Sequence, residues 1–432
     1  MGANQSSTSE HKVAELLFER GTDAVAVEVH SAAVDSEAVT VFTYFTDSKH
    51  RNIATNAIQA HKVLRHPSIL KLMTFSESSS SCHVVTEPAT PLCACIDYVN
   101  GWEITVGLAK ILEALHFLHT QAGYSHNNVS MESIYVTPDG EWKLGRLDCV
   151  NRIAQNSKDH ILSISDLCDS NIYPVPPANE QKAPVSHCRD ISGLGKLCEI
   201  LLDKMESFDQ TWLSEFGEAI EVMISPELTE VPTAAEILTQ PLLSNPLVLT
   251  LKFVEEITLK TETEKQEFFS SLTGRLRELP EVVIAKMLVR PLLRRFVVQE
   301  ELAYRNVLPC LLTPKSKSNP FGLLSPSLFK KYLPPVILRL FTVKEFRVRI
   351  LLLDHFHCFC HMLDKSRLEN GATKPSGPTR EEGLFSELDE ETTPNPIPTP
   401  SAVTDKKAKG KPIRKTRKQS KSEEKVPVFC SP

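Results

Sequence analysis

The spacing of apolar residues changes along the chain, and each change predicts a different kind of structure. Up to about residue 90, short runs rich in β-branched and aromatic residues, clearest at 38–45 and 82–87, predict β-strands. Between these runs the pattern over 52–64 predicts a helix that ends before His66. From residue 102 onwards, apolar residues recur every three or four positions, which predicts helices. The order indicates a strand-rich small lobe followed by a helical large lobe.

Two short strands are predicted within the large lobe, at 133–136 and 141–144. Pro138-Asp139-Gly140 joins them, and this order of residues is typical of a hairpin turn. Residues 155–188 are polar and irregular, and helices return from about 190 to 245.

A third pattern covers residues 246–364. Amphipathic helices follow one another with short links, and prolines within or beside them predict kinks or boundaries. Helices paired in this way resemble HEAT-type repeats, whose units are about 40–47 residues long. The predicted helices are Leu247–Thr258, Glu264–Leu279, Glu281–Val298, Glu300–Leu312, Pro326–Phe341 and Val343–Leu363.

The periodicity ends after Gly371. Six prolines lie between Pro375 and Pro400, and nine Lys or Arg residues without an acid lie from Lys406 to Lys421. Such a composition cannot bury enough apolar surface to fold, so a disordered tail is expected. We therefore divide the chain into an N-terminal segment at 1–19, a two-lobed domain at 20–245, helical repeats at 246–365 and a tail at 366–432.

The composition is that of a soluble globular protein, with 41% hydrophobic and 24% charged residues and a net charge of -6 over 432 residues. No apolar run approaches the roughly 20 residues that span a bilayer, and the first residues lack the pattern of a secretory signal. Eleven cysteines without a framework spacing predict reduced thiols in the cytosol.

The N-terminus carries a lipidation signal. Gly2 follows the initiator Met1 and Ser6 comes four residues later, which is the pattern for N-myristoylation. One myristoyl chain holds a protein at a membrane only weakly, so a second membrane contact is expected. The basic run 406–421 could supply it, in which case phosphorylation at Ser420 or Ser422 would weaken the attachment. Nucleic-acid binding, nuclear entry and a merely solvated tail are the other interpretations of that run.

Four stretches resemble parts of a protein kinase and occur in the order in which a kinase has them. They are similar to the turn after the kinase C-helix, the catalytic loop with its hairpin, the helix whose Asp supports that loop, and the last helix of the large lobe. The stretches are Leu64–Leu70, Leu118–Gly145, Asp190–Gly195 and Pro232–Leu243. The resemblance implies a two-lobed α+β kinase-like fold.

The catalytic positions implied by this resemblance hold the wrong chemistry. A kinase needs His-Arg-Asp, with the Asp as base and a metal-binding Asn five residues later. Here Asn128 replaces the base and Ser133 replaces the metal-binding Asn. Arg146 stands where an Asp must hold magnesium, and a guanidinium repels the cation and does not lose its proton.

The small-lobe positions are also altered. Phe45 stands where a phosphate-pairing Lys should end its strand, and Ala57 stands where the helix should carry that lysine's Glu partner. Residues 10–45 contain only Gly21 where a glycine-rich loop is needed. We therefore predict a pseudokinase that is not an enzyme, has no catalytic, metal or cofactor site, and binds ATP poorly if at all.

His126-Asn127-Asn128-Val129 and the string Gly140–Gly145 are similar to the SCY1-like pseudokinase family, which joins a degenerate kinase domain to HEAT repeats. The overall plan looks closest to its ezrin-binding branch. That resemblance implies association with the C-terminal domain of ezrin, with Golgi and other membranes and with lamellipodia at the cell edge. A cytoplasmic scaffold or adaptor for trafficking, adhesion or migration, with no nucleic-acid partner, is the expected function.

Three alternatives stay open. In the first, Lys143, Asp139 or Asp148 substitutes for the lost groups of an atypical kinase. In the second, nucleotide binding without chemistry acts as a switch. In the third, the repeats alone act as a coat adaptor.

A group of His and Cys residues lies at 355–361. His357 and His361 share a helical face and could bind a metal. The surrounding leucines favour a packed helix instead, in which cysteine behaves as a small hydrophobic residue.

Overall fold

A computed structural model describes most of the chain. The ranges described are 12–20, 26–34, 36–45, 51–173, 187–225, 231–316, 320–342 and 345–362. Gly2, Ser420, Ser422 and the basic run 406–421 lie outside them.

The small lobe is built on an antiparallel sheet with the strand order β1-β2-β3-β5-β4. Helix α1 packs against one face of this sheet. The predicted strands at 38–45 and 82–87 and the predicted helix are present, with bounds shifted by about one residue. The predicted start of this domain at residue 20 was wrong, because β1 begins at Lys12 and pairs with β2. The elements are β1 Lys12–Arg20, β2 Val27–Val34, β3 Glu37–Phe45, α1 Arg51–Val63, β4 Leu72–Glu77 and β5 Ser81–Thr86.

Strand β3 lies in the middle of this sheet, and both of its faces are buried. Phe42 and Tyr44 pack towards α1, whereas Val39 and Val41 pack on the opposite face. The hydroxyl of Thr40 donates a hydrogen bond to the carbonyl of Ala89 at 2.8 Å, so this polar side chain is paired in the interior. Successive side chains of a strand point to opposite faces, so this run of residues fills both layers.

The large lobe surrounds helix α3, which begins at a capping box formed by Asn100 and Glu103. Strands β8 and β9 form the predicted hairpin, and Gly140 in its turn has a φ of 84°. The elements are β6 Thr90–Pro91, α2 Leu92–Cys95, α3 Gly101–His116, β7 Tyr124–Ser125, β8 Ile134–Val136, β9 Trp142–Leu144, β10 Asn151–Arg152, α5 Cys188–Leu202, α6 Gln210–Ile224 and α7 Ala234–Ile237.

The expectation of irregular structure over 155–188 was wrong at its start. Helix α4, Lys158–Ser163, begins at Ser157, whose side chain accepts a hydrogen bond from the backbone N–H of His160. This cap and the burial of Ile161 stabilise a turn and a half of helix in a sequence that is otherwise polar.

The helices predicted after residue 246 are present, and the third is divided at Arg294, which is extended. Two of them contain wider π-helical turns, at 284–288 and 303–307. Pro291 and Pro309 follow these turns. A proline ring meets the carbonyl four residues before it, and for both prolines that carbonyl lies within the π-helical turn. The helices are α8 Pro246–Glu255, α9 Glu262–Glu278, α10 Glu281–Val283, α11 Val289–Leu292, α12 Arg295–Val298, α13 Leu308–Leu312, α14 Pro326–Thr342 and α15 Phe346–Phe359.

Helix α8 joins this segment to the large lobe. Asn245 caps α8 and donates a hydrogen bond to the Thr105 hydroxyl of α3 at 3.2 Å. Lys110 of α3 pairs with Glu255 at the end of α8. Trp102 packs against both hydrophobic cores, so the helical segment and the large lobe share a continuous interior. None of the described helices is long and apolar enough to cross a membrane.

Candidate functional site

The loop that resembles a kinase catalytic loop is held by one buried carboxylate, that of Asp190 on α5. It accepts hydrogen bonds from the backbone N–H groups of His126 (2.7 Å) and Asn127 (2.6 Å). It also bonds the Ser125 hydroxyl and the His119 ring, both at 2.9 Å. Burial would raise the pKa of Asp190, but the bonds from His119 and the His126 backbone outweigh it and lower that pKa. The loop is therefore fixed around a charged Asp190.

Asn128, to which the kinase resemblance assigns the position of the catalytic base, is fully buried. In the part of the chain that the structure describes, neither polar atom of its side chain has a hydrogen-bond partner. An amide cannot take a proton from a substrate hydroxyl near neutral pH. Ser133, at the metal-binding position, donates to the carbonyl of Ser130 at 3.1 Å and accepts from its N–H at 3.0 Å. The hydroxyl of Ser133 is thus engaged in hydrogen bonds within the loop.

Arg146, to which the kinase resemblance assigns the metal-binding position, is buried with an internal counter-ion. Its Nε lies 3.0 and 3.2 Å from the two carboxylate oxygens of Asp148, and its Nη2 lies 2.9 Å from one of them. Nη2 also donates to the carbonyl of Leu167 at 3.2 Å. Burial would lower the pKa of Arg146, but Asp148 outweighs it and raises that pKa. The charge of Arg146 is balanced inside the protein.

The residues that could replace the lost groups are engaged elsewhere. The Asp148 carboxylate is fully buried against Arg146. Lys143 bonds both carboxylate oxygens of Glu87 at 3.0 Å. Asp139 lies in the hairpin turn between β8 and β9. The geometry therefore favours an inert site over the atypical kinase.

Neither of the two small-lobe positions carries a charge, so they cannot form an ion pair with each other. Phe45 ends β3 and is partly exposed, whereas Ala57 is fully buried under the sheet. The neighbouring Asn56 holds α1 instead, since its side-chain amide donates to the carbonyls of Asp148 (2.9 Å) and Val150 (2.7 Å). Neutral hydrogen bonds thus connect α1 to the loop where the resemblance implies a Lys–Glu ion pair.

Large aromatic side chains fill the region between the sheet and the hairpin, where the kinase resemblance places a nucleotide. Tyr135 is fully buried, and its ring meets Phe42 edge-on with 5.3 Å between centroids. Tyr44 is only 1% exposed. A Cβ atom at Gly145 would lie 2.6 Å from the Tyr135 ring, so this position has room only for glycine. This packing leaves little space for the base of a nucleotide.

A cavity of about 300 Å³ lies elsewhere, between α1 and the turn from β4 to β5. None of the loop residues described above lines it. Its walls are Ala54, Thr55, Ile58, Glu77, Ser78, Ser79 and Cys82.

His61 on α1 should make the free energy of unfolding depend on pH. Burial lowers its pKa from 6.5 to about 4 and outweighs the opposite effect of the nearby Asp148 carboxylate. Between these values the unfolded chain binds a proton that the folded chain does not bind. The free energy of unfolding is therefore highest above about pH 6.5, and this group alone should lower it by about 3 kcal/mol by pH 4.

Replacing His61 with Leu should remove that part of the pH dependence at nearly constant side-chain volume. Urea unfolding at pH 7, 5.5 and 4.5 measures it. His357→Leu changes an exposed histidine of α15 and should keep the pH dependence of the unmodified protein. If His61→Leu loses as much stability on acidification as the unmodified protein, His61 is not the group responsible.

No cluster of three or more His, Cys, Asp or Glu side chains within the described ranges is placed to hold a metal. In the predicted His and Cys group, the Cys358 thiol lies 3.2 Å from the His357 ring. Nδ1 of His355 lies 3.0 Å from the carbonyl of Leu351, one turn earlier on α15.

Sequence reasoning missed three roles. Asp148 was considered as a replacement catalytic group, and it is instead the counter-ion of Arg146. The link from Asn56 to the loop gave no sequence signal. The filling of the site by Tyr135 could have been suspected, because a bulky residue follows Ser133 by two positions in the hairpin strand.

Curated relatives cover most of the chain, although no model of a known protein family matches it. The mouse (Mus musculus) "Protein-associating with the carboxyl-terminal domain of ezrin" is 31% identical over 379 residues, 85% of this chain and 51% of that protein. The Dictyostelium discoideum "Probable inactive serine/threonine-protein kinase scy1" is 26% identical over 78% of this chain and 42% of that protein. Mouse "SCY1-like protein 2" is 23% identical over 73% of this chain and 40% of that protein.

The chain thus spans about half the length, or less, of the curated relatives it matches. The crystal structure of Cex1p superimposes with a TM-score of 0.45 and 17% identity, covering 85% of this chain and 77% of that one.

Proposed function

Since the chain is a relative of the SCY1-like, kinase-like proteins, we propose that it is a catalytically inactive scaffold that binds other proteins at membrane surfaces. Two of these relatives bear names that speak of inactivity or of protein association. Both properties agree with a kinase-like body whose site chemistry is altered.

The buried pair of Arg146 and Asp148 carries this proposal. Kinases transfer phosphate by positioning the nucleotide and neutralising its charge with metal ions held by carboxylates. Here the metal position holds a guanidinium whose charge is already balanced. A magnesium ion would have to displace a buried cation and leave it without its partner, which is strongly unfavourable. The amide of Asn128 removes the base as well.

Mg-ATP should therefore not stabilise the protein. A ligand that binds only the folded state raises the melting temperature with its concentration, and we expect a shift below about 1 °C at millimolar Mg-ATP. Thermal melting with ATP, with and without magnesium, measures this. A magnesium-dependent rise would support the nucleotide switch, and labelled phosphate incorporated by the protein would support the atypical kinase.

The helices α8 to α15 form HEAT-like repeats in this proposal and supply the protein-binding surface. The ezrin C-terminal domain is the first partner to test, because one relative is named for that association. Gly2 would carry the myristoyl tether. The protein would then be cytoplasmic and peripheral on Golgi or other membranes, with lamellipodia as a second location.

Proximity labelling by the full chain and by its Gly2→Ala variant tests the scaffold and the tether together. Neighbours found only with Gly2 intact would depend on the membrane. Ezrin labelled equally by both would bind without the tether, and the absence of any protein neighbour of either would contradict the scaffold.

A further inference from the structure

The stretch 281–294, which is helical up to Leu292, exposes only one narrow line of side chains. Its exposed residues are Val282, Lys286, Arg290 and Arg294, one at every fourth position. The other residues of the stretch are buried or partly buried in the core of the helical segment. Three of the four exposed side chains of this stretch are therefore cations.

These cations have no counter-ion among the residues that the structure describes. Among the described residues, Lys286, Arg290 and Arg294 take part in no ion pair, although several neighbouring acids do. Those acids are bound to other bases, in the pairs Glu281–Lys315, Glu300–Lys265 and Glu345–Arg295.

Like charges four residues apart on a helix destabilise it by a few tenths of a kcal/mol for each pair. The three charges follow one another at intervals of four residues along this exposed line. An anionic surface with closely spaced charges would relieve the repulsion. Phosphate groups and acidic side chains are the two chemistries that offer such spacing.

We propose that Lys286, Arg290 and Arg294 form a contact line for the phosphate headgroups of an anionic lipid bilayer. Val282 continues the line and is 46% exposed, and Phe296, two residues after Arg294, is 49% exposed. Bases near an anionic membrane surface contribute about 1 kcal/mol each, and exposed apolar side chains beside them can enter the headgroup region, which favours lipid over an acidic peptide. The inference rests on the membrane part of the proposed function and is independent of the inactive kinase site.

The experiment uses the full chain with Gly2→Ala and with the nine bases of 406–421 changed to Gln, so that neither lipid nor tail contributes. Sedimentation with vesicles of phosphatidylcholine containing about 30% phosphatidylserine measures the affinity. Lys286→Gln, Arg290→Gln and Arg294→Gln together should weaken binding about a hundredfold, from three charges near an anionic surface.

The matched control removes the same charge from exposed residues elsewhere, by Arg275→Gln, Lys330→Gln and Lys331→Gln together. It should weaken binding only a few fold, because distant charges are screened by salt. Hydrogen exchange on the vesicles should slow within 281–298 for the control and not for the line variant. Pure phosphatidylcholine should bind neither protein.

Equal losses for the two variants would mean that only net charge matters, and the contact line would be wrong. Binding of a polyglutamate peptide that only the line variant loses, with equal vesicle binding, would assign the line to an acidic protein instead. Either result leaves the Mg-ATP titration unaffected, so a failure here is distinguishable from a failure of the inactive-kinase proposal.

Discussion

Asp148→Asn should lower the free energy of unfolding by about 3–5 kcal/mol, because it leaves the buried Arg146 charge without its partner. Both side chains have no exposed surface, so water cannot replace the lost carboxylate. The neutral amide keeps nearly the same volume and retains one acceptor oxygen. Urea unfolding of the full chain at pH 7 measures the change from the transition midpoint and slope.

The double variant Arg146→Met with Asp148→Leu is the matched control. Replacing both members of a buried ion pair with apolar residues of similar size is often neutral or stabilising. The carbonyl of Leu167 loses one donor, so stability should remain within about 1–2 kcal/mol of the unmodified protein. If Asp148→Asn is as stable as the unmodified protein, the pair is not the buried charge balance proposed for this site.

Gly107→Ala should destabilise the large lobe by at least about 3 kcal/mol, since it overpacks the core. A Cβ atom at this position would lie 2.0 Å from the ring of Trp142, which is only 2% exposed. Gly107 lies in the middle of α3, so the backbone cannot move aside without displacing the helix at the centre of the lobe. Thermal and urea unfolding measure the effect.

Gly217→Ala is the control for adding a methyl group to a helix. No atom lies within 4 Å of a Cβ at this position of α6, so the variant should gain about 0.5–1 kcal/mol from helix propensity. Adding Trp142→Leu to Gly107→Ala should recover part of the lost stability, because the overlapping ring is removed. If Gly107→Ala is as stable as Gly217→Ala, the close contact of Trp142 with α3 described here is contradicted.

Local patterns in the sequence were sufficient for much of the fold. The run of β-branched and aromatic residues over 38–45 predicted the central strand, and apolar spacing predicted the helices from 246 onwards. The replacement of catalytic groups by Asn128 and Arg146 is also a prediction from local sequence, because short motifs around them suggest their place in the loop. Each of these features depends on residues close together along the chain, where periodicity and motif spacing carry the information.

Which groups hold the loop in place and fill the site was decided by the tertiary structure alone, whereas the counter-ion Asp148 stands only two residues from Arg146. Asn56 reaches carbonyls more than 90 residues away, and Asp190 gathers N–H groups from a loop more than 60 residues before it. Tyr135 fills the site because a distant strand brings Phe42 against it. A buried charge needs its partner within a few ångströms, and for contacts made across the fold that distance has no counterpart in sequence spacing.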